Sequence, residues 1–342
     1  MAVLILSIET SCDETAAAVV KDGQEILSNI ISSQVEFHKK YGGIVPEIAS
    51  RKHIEMINPI IQEALDTAKV TFKDLDAVAV THGPGLIGSL IVGLSAAKSI
   101  AYALNIPLIG VNHLEAHIYA NFLISNFEYR ISNIFPFLSL LVSGGHTMLV
   151  LVEGHRKYKV IGRTRDDAAG EAFDKVARFL NIGYPGGPII DKMSKEGNPK
   201  AINFTRPMIN DGFDFSFSGI KTAVVNHINK LSVVSCSPKG ELLVNIVASF
   251  QQAIVDVLVT KTIRAAKQYN YKNIALAGGV SANSCLRANL EEKAKKEKLD
   301  VMIPPLVLCT DNAAMVGARA YYLLKEGKTS SFDLEAVANL RL

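Results

Sequence analysis

The segment His113-Leu114-Glu115-Ala116-His117 places two imidazoles four residues apart. On a helix that spacing puts both rings on one face, one turn apart, which suits a shared metal ion. The same spacing occurs where two histidines only pack or meet solvent, and spacing alone favours neither reading. Position adds weight. The pair follows the apolar run 107–111, where the carboxyl end of a parallel strand would open a helix. Asp311 stands at a similar junction, after the apolar run 301–304 and before Asn312-Ala313-Ala314. Alone, Asp311 reads equally as a helix N-cap. Two histidines and one carboxylate, expected to come from opposite lobes, leave coordination positions open, which suits iron or zinc in a catalytic or substrate-binding role. A zinc peptidase would need H-E-x-x-H, with the glutamate beside the first histidine. Glu115 instead lies two residues after His113, roughly 200° around a helix, which argues against protease chemistry.

Glycine-bearing loops form the second group. Ser143-Gly144-Gly145-His146-Thr147 joins two strand-like runs, and Gly83-Pro84-Gly85 and Gly278-Gly279 each precede a helical run. Exposed backbone N–H groups at such loops favour phosphate. Each could be a plain turn; together, at repeated positions, they read as a nucleotide site. No GxxxxGK[ST] occurs, which excludes a P-loop. Asp174, and Asp191 after Tyr184-Pro185-Gly186-Gly187-Pro188, could bind ribose hydroxyls. They read equally as caps or solvated acids.

The elements that would position these residues form a repeat. Residues 2–31 read strand, polar loop, strand, Asp22-Gly23 turn, strand, and residues 137–163 read the same way. Helices and parallel-type strands then alternate in each half: helix 46–68, strand 75–80, helix to 103, strand 107–111, helix from 112; and helix 242–267, strand 273–276, helix from 281, strand 301–304, helix near 311. Two copies of a β-β-β-α-β-α-β-α unit predict a duplicated α/β fold, with lobes 1–130 and 131–342 around a central cleft and an insertion at about 166–241. Polar loops at the carboxyl ends of the strands would face that cleft.

Composition sets the frame. A chain of 342 residues, 49% of them hydrophobic, is long enough for two domains with sizeable cores. No apolar run is expected to reach the roughly 18–20 residues that span a bilayer. The apolar start, 1–8, lacks a basic flank and a cleavage site, so it reads as a buried strand rather than a signal peptide. The expectation is a cytoplasmic protein with no membrane association. Cys12, Cys236, Cys285 and Cys309 show no CxxC spacing, which suits a reducing compartment and argues against a zinc ribbon. A net charge of +3 permits an acidic partner without demanding one. Basic clusters at 38–40, 51–53, 155–157 and 163–165 each read as solvated loops.

With these residues in place, the chain resembles the bacterial and organellar tRNA N6-adenosine threonylcarbamoyltransferases, formerly taken for O-sialoglycoprotein endopeptidases. The matching segments are 9–15, 43–47, 83–86, 112–117, 141–147, 166–175, 184–188, 215–222, 278–283 and 309–314. They run in order along nearly the whole chain. Two departures stand out: Ala116 replaces an expected glycine, and 122–135 is long. The resemblance implies an actin/Hsp70/sugar-kinase-type (ribonuclease H-like) fold. It implies one divalent metal ion on His113, His117 and Asp311, expected to be Fe2+, though the ligands would also accept Zn2+. It implies that Leu141, Val142, Ser143, Gly144, Gly145, Asp174, Gly187, Asp191 and Asn283 line a threonylcarbamoyl-AMP site. The activity implied is transfer of the threonylcarbamoyl group to N6 of adenosine 37, beside the anticodon, in tRNAs reading codons that begin with A. The implied partners are tRNA, a smaller paralogue of the same fold and a small P-loop ATPase. An ATP-dependent small-molecule kinase of the same fold is the alternative. A non-catalytic scaffold is disfavoured because all three metal ligands are intact.

Overall fold

The computed structural model describes residues 2–123, 134–232 and 239–342. Cys236 and residues 124–133 of the long segment 122–135 lie outside these. The strands are β1 (Leu4–Glu9), β2 (Glu14–Lys21), β3 (Glu25–Ser33), β4 (Ala77–Gly83), β5 (Leu108–Asn112), β6 (Phe137–Val142), β7 (Thr147–Gly154), β8 (Lys157–Arg163), β9 (Asn273–Ala277) and β10 (Asp300–Met302). The helices are α1 (Val35–His38), α2 (Pro46–Ala68), α3 (Ile87–Leu104), α4 (His113–Tyr119), α5 (Ala169–Phe179), α6 (Gly186–Ser194), α7 (Ser218–Ser232), α8 (Gly240–Gln268), α9 (Ser284–Lys296), α10 (Leu306–Cys309) and α11 (Ala313–Lys325).

The repeat is visible in the sheets. One is ordered β3-β2-β1-β4-β5, the other β10-β9-β6-β7-β8. Read from its far edge, the second becomes β8-β7-β6-β9-β10, the same order. In each, the first three strands pair antiparallel and the last two join in parallel. The central strands are buried almost throughout, as apolar strands covered on both faces must be.

The chain divides into two units, one of Met1–Asn133 with Pro304–Leu342 and one of Ile134–Ile303. This differs from the expected boundary, which gave everything after 130 to the second lobe. The cause is α11. Its buried residues Ala313 to Ala320 pack on β1, β2 and α4, not on the second sheet. Gly317 makes the approach close: a Cβ there would lie 2.7 Å from Val20 and 2.9 Å from Ser7 Oγ. Ser7 Oγ donates to Ala313 O at 2.7 Å, closing a separation of 306 residues.

A second expectation is also corrected. Two helices, α3 and α8, are long and apolar enough to cross a membrane by length and composition. Core packing accounts for α8, whose buried residues run from Ile246 to Ala266 within the second unit's core. Helix α3 packs on β4 and α2, leaving Ile87, Ile91 and Tyr102 exposed. Within α8, Lys261 is fully buried and donates to Asp211 O at 2.7 Å and Gly212 O at 3.2 Å. It ties the loop before Phe215 to the helix.

Candidate metal centre

Helix α4 starts where β5 ends, and Asn112 is the hinge between them. Its Oδ1 accepts from Leu114 N at 2.8 Å and, more weakly, from Glu115 N at 3.4 Å. Its Nδ2 donates to Arg341 O at 2.9 Å. This cap satisfies N–H groups that the first turn cannot bond internally. The pair His113 and His117 therefore leaves the strand end in a fixed direction, with ring centroids 4.6 Å apart.

Asp311 meets both histidines. Its Oδ1 lies 3.1 Å from His117 Nε2 and 3.5 Å from His113 Nε2. Ligand atoms of the three residues all fall within 4.8 Å of one another. Ligands at about 2.0–2.2 Å from a tetrahedral or octahedral ion stand roughly 3–3.5 Å apart, and the separations of Asp311 from the two histidines match that spacing. The expected N-cap reading of Asp311 is displaced: Asn312 is the cap of α11, its Oδ1 accepting from Met315 N at 3.0 Å. The expectation that the ligands come from opposite lobes is overturned, because all three belong to the first unit.

Sequence reasoning missed what stands behind the first ligand. His113 Nδ1 lies 3.1 Å from Glu9 Oε2 and 3.2 Å from Ser11 Oγ. Glu9, at the end of β1, is fully buried. Its carboxylate also accepts from Ser11 N at 2.5 Å and Thr81 Oγ1 at 2.6 Å. A proton on Nδ1 directed at Glu9 leaves Nε2 free to bind a metal. Burial opposes a charge on His113, but the facing carboxylates of Asp311 and Glu9 outweigh it and push its pKa up to about 9. Against the opposing effect of burial, His113 holds Glu9 below the usual carboxylate value. The site without metal therefore retains a proton that a cation would displace. The available signal was a glutamate ending an otherwise apolar strand. His117 differs: its Nδ1 is buried with no hydrogen-bond partner among the described residues.

Glu115 turns away from the ligands, as the helical geometry requires, and pairs with Arg319 of α11. A glutamate engaged in that pair is not placed to act as the base of a peptidase, in line with the sequence expectation.

Another loop runs beneath the site. His53 of α2 is buried, with Nδ1 2.8 Å from Thr15 Oγ1 and Nε2 3.0 Å from Cys12 O. It anchors the Thr10–Glu14 turn that carries Ser11. Burial raises the Cys12 thiol well above its ordinary value, with Asp13 and Asp311 adding to the effect.

The remaining predicted residues lie in the second unit. Leu141 and Val142 end β6 and are fully buried. Ser143 closes a tight turn: its N donates to His146 O at 2.7 Å, and its Oγ accepts from His146 N at 3.1 Å. A side chain at Gly144, Gly145, Gly187 or Gly279 would meet no atom within 4 Å. The N-terminus of α5 abuts this turn, Gly170 N donating to Ser143 O at 3.2 Å. Asp174 Oδ1 accepts from Gly186 N at 2.7 Å, at the start of α6. Asp191 accepts from Ser284 Oγ at 2.9 Å and Ser284 N at 3.2 Å. Asn283 caps α9 through Leu286 N at 2.9 Å and donates to Gln251 Oε1 at 2.7 Å. The helix expected from 281 thus begins at Ser284, after a 3-10 turn over Gly279–Ala282. Gly278 sets that turn with φ +86, where a Cβ would lie 2.5 Å from Val142 O. Both aspartates and Asn283 hold neighbouring elements together, and the open glycines stand at the ends of those elements.

Comparison with known proteins places these features. The family profile described as "TsaD: tRNA N6-adenosine threonylcarbamoyltransferase" matches residues 25–318. A protein of that name from Clostridium botulinum (strain Kyoto / Type A2) is 55% identical over 341 residues, covering 99% of this chain and 97% of its own length. One from Clostridioides difficile (strain 630) is 54% identical, covering 99% and 98%. Among solved structures, HypF from T.kodakarensis superposes with a TM-score of 0.61 at 16% identity, covering 97% of this chain and 49% of its own. Component A of the Acidaminococcus fermentans (R)-2-hydroxyglutaryl-CoA dehydratase gives 0.54 at 15% identity, covering 95% and 98%. These two likenesses show the fold alone, and it is of the actin/Hsp70/sugar-kinase type.

Proposed function

The chain belongs to the tRNA N6-adenosine threonylcarbamoyltransferase family, and from that premise we propose how its residues perform the transfer. The protein is a transferase that forms N6-threonylcarbamoyladenosine in tRNA. The substrates are threonylcarbamoyl-AMP and adenosine 37 of tRNAs that read codons beginning with A. The exocyclic N6 amine attacks the carbamoyl carbon. A C–N bond forms, the bond from that carbon to the phosphate oxygen breaks, AMP leaves with the electron pair, and N6 loses a proton. An unstacked anticodon-loop base is accessible to such chemistry where a paired base is not.

The observation that carries the reading is the convergence of His113, His117 and Asp311 on one ion-sized site in a chain of this family. Those three residues would hold one divalent ion, Fe2+ in our reading, with Zn2+ also compatible. Bound there, the ion supplies Lewis acidity and a template for the threonylcarbamoyl group. Glu9 and Ser11 fix the His113 ring, and the Asn112 cap fixes the helix that carries it. In the second unit, the backbone N–H groups of Gly144 and Gly145, in the turn that Ser143 closes, would hold the phosphate of the leaving AMP. Gly187, Asp174, Asp191 and Asn283 frame the adenylate, with Leu141 and Val142 supporting the turn. A smaller paralogue and a small P-loop ATPase would act as partners, in the cytoplasm.

The test is mass spectrometry of tRNA nucleosides from cells depleted of this protein. Loss of threonylcarbamoyladenosine, restored by the wild-type chain and not by a His113→Ala, His117→Ala variant, is the expected result. An unchanged level of the modified nucleoside would overturn the reading.

A further inference from the structure

We propose that the ion pair of half-buried Glu115 with buried Arg319 sets the rotation of α4 against α11, so that Arg319 is a positioning residue of the metal centre. The inference rests on the metal reading of His113, His117 and Asp311. It starts from a mechanical problem. The ligands come from two elements far apart in sequence: α4 gives both histidines, and Asp311 immediately precedes α11. Helix α4 is only seven residues long. A rotation about its axis would swing both imidazoles away from Asp311 together. Metal sites tolerate distance errors of only about 0.2 Å, so something must stop that rotation.

Glu115 is suited to the task. It stands between the two histidines in sequence and about 200° from each around the helix, hence on the opposite face. Its carboxylate is engaged by Arg319 Nε. Arg319 is 1% exposed, and its guanidinium lies 4.8 Å from the Tyr119 ring centroid, at the far end of the same short helix. The guanidinium is planar and keeps its charge, so its carboxylate contact has a defined direction. One side chain of α11 therefore touches α4 at Glu115 and at Tyr119. The Asn112 cap holds the start of the helix. Three points of attachment fix its rotation, and α11 begins beside the third ligand. A surface ion pair would contribute little to such a task. Burial of Arg319 changes this, because a guanidinium out of reach of water cannot give up its carboxylate partner without being left unpaired.

The test separates positioning from folding. In the Glu115→Met, Arg319→Met variant both charges go and side-chain volume is retained. Zn2+ affinity is measured by competition with a chelator, Co2+ absorption reports the coordination geometry, and the melting temperature of the metal-free protein reports the fold. We expect Zn2+ affinity to fall about tenfold or more, as for lost supporting contacts behind metal ligands. The Co2+ spectrum should change, while the metal-free melting temperature stays within roughly 4 °C of wild type. Arg319→Lys keeps the charge but loses the planar fork, and should also weaken Zn2+ binding. An Arg319→Lys protein that binds Zn2+ as tightly as wild type, with the same Co2+ spectrum, overturns the proposal whether or not the methionine pair folds. Wild-type protein that takes up no metal would remove the metal centre itself and this inference with it. Equal binding by wild type and variants removes this inference alone.

Discussion

Strand β1 ends at Glu9 and runs into Thr10-Ser11, and β6, its counterpart in the second unit, ends at Val142 and runs into Ser143-Gly144-Gly145. The two strands hold the same place in sheets of the same order. At the first end every side chain is buried and spent: Glu9 holds His113, Ser11 and Thr81, and Thr10 donates to Ser89 O at 2.9 Å. At the second end the two glycines face open space. A duplicated fold thus supplies two equivalent positions; side-chain chemistry makes one a rigid support for the His113 ring and leaves the other an open backbone turn, which the proposed function assigns to an anion. The topology chooses where a site can be; the residues choose what it takes.

If that division holds, damage to one end should leave the other end's ligand untouched. The largest effect expected is from His113→Ala with His117→Ala. Elemental analysis should show metal falling from about one ion per chain to none, with binding of AMP by calorimetry retained. Full metal occupancy in the double variant would break the assignment. Next is Glu9→Gln, which keeps shape and removes the charge behind His113. Metal affinity should fall about 10–100-fold, and an unchanged affinity would mean that Glu9 serves only the core. Gly145→Val should then weaken AMP binding by about tenfold while metal content stays constant, since its side chain displaces ligand and not protein. Unaltered AMP affinity would show that the open space at Gly145 is not where the nucleotide sits.

The smallest effect is one of stability. Burial, with Arg264 nearby, lowers the Lys261 pKa from its ordinary 10.5 to about 8. Between those values the unfolded chain binds the proton more tightly than the folded one, so stability rises with pH across that window. Lys261→Met should flatten the rise, read as the difference between urea midpoints at pH 8 and pH 10. An equal rise in both proteins would assign it to other groups.

Hydrophobic period and turn residues made most of the fold legible. Helix α2 has the predicted bounds, and the two three-stranded meanders occupy residues 4–33 and 137–163, close to the runs 2–31 and 137–163 that read as strand triplets. The pairing of His113 with His117 on one helix face was legible because an i, i+4 pair is a local signal. What was not legible is non-local. Nothing in the pattern of 313–325 says which sheet its apolar face will cover, and that choice moved Asp311 into the first unit. Arg319 carries no motif; its meaning depends on Glu115, 204 residues earlier. The family match supplied the substrate, which neither period nor spacing encodes.

The return of α11 to β1 and β2 has a consequence in time. A ribosome delivers the first sheet long before it delivers the helix that covers it, and Ser7 waits 306 residues for Ala313. Through that interval His113 and His117 exist without Asp311. Asp311 arrives only when most of the chain has been synthesised, so on the proposed metal reading loading would be a late event in biogenesis, and a chain interrupted before Asp311 would carry a centre that cannot close.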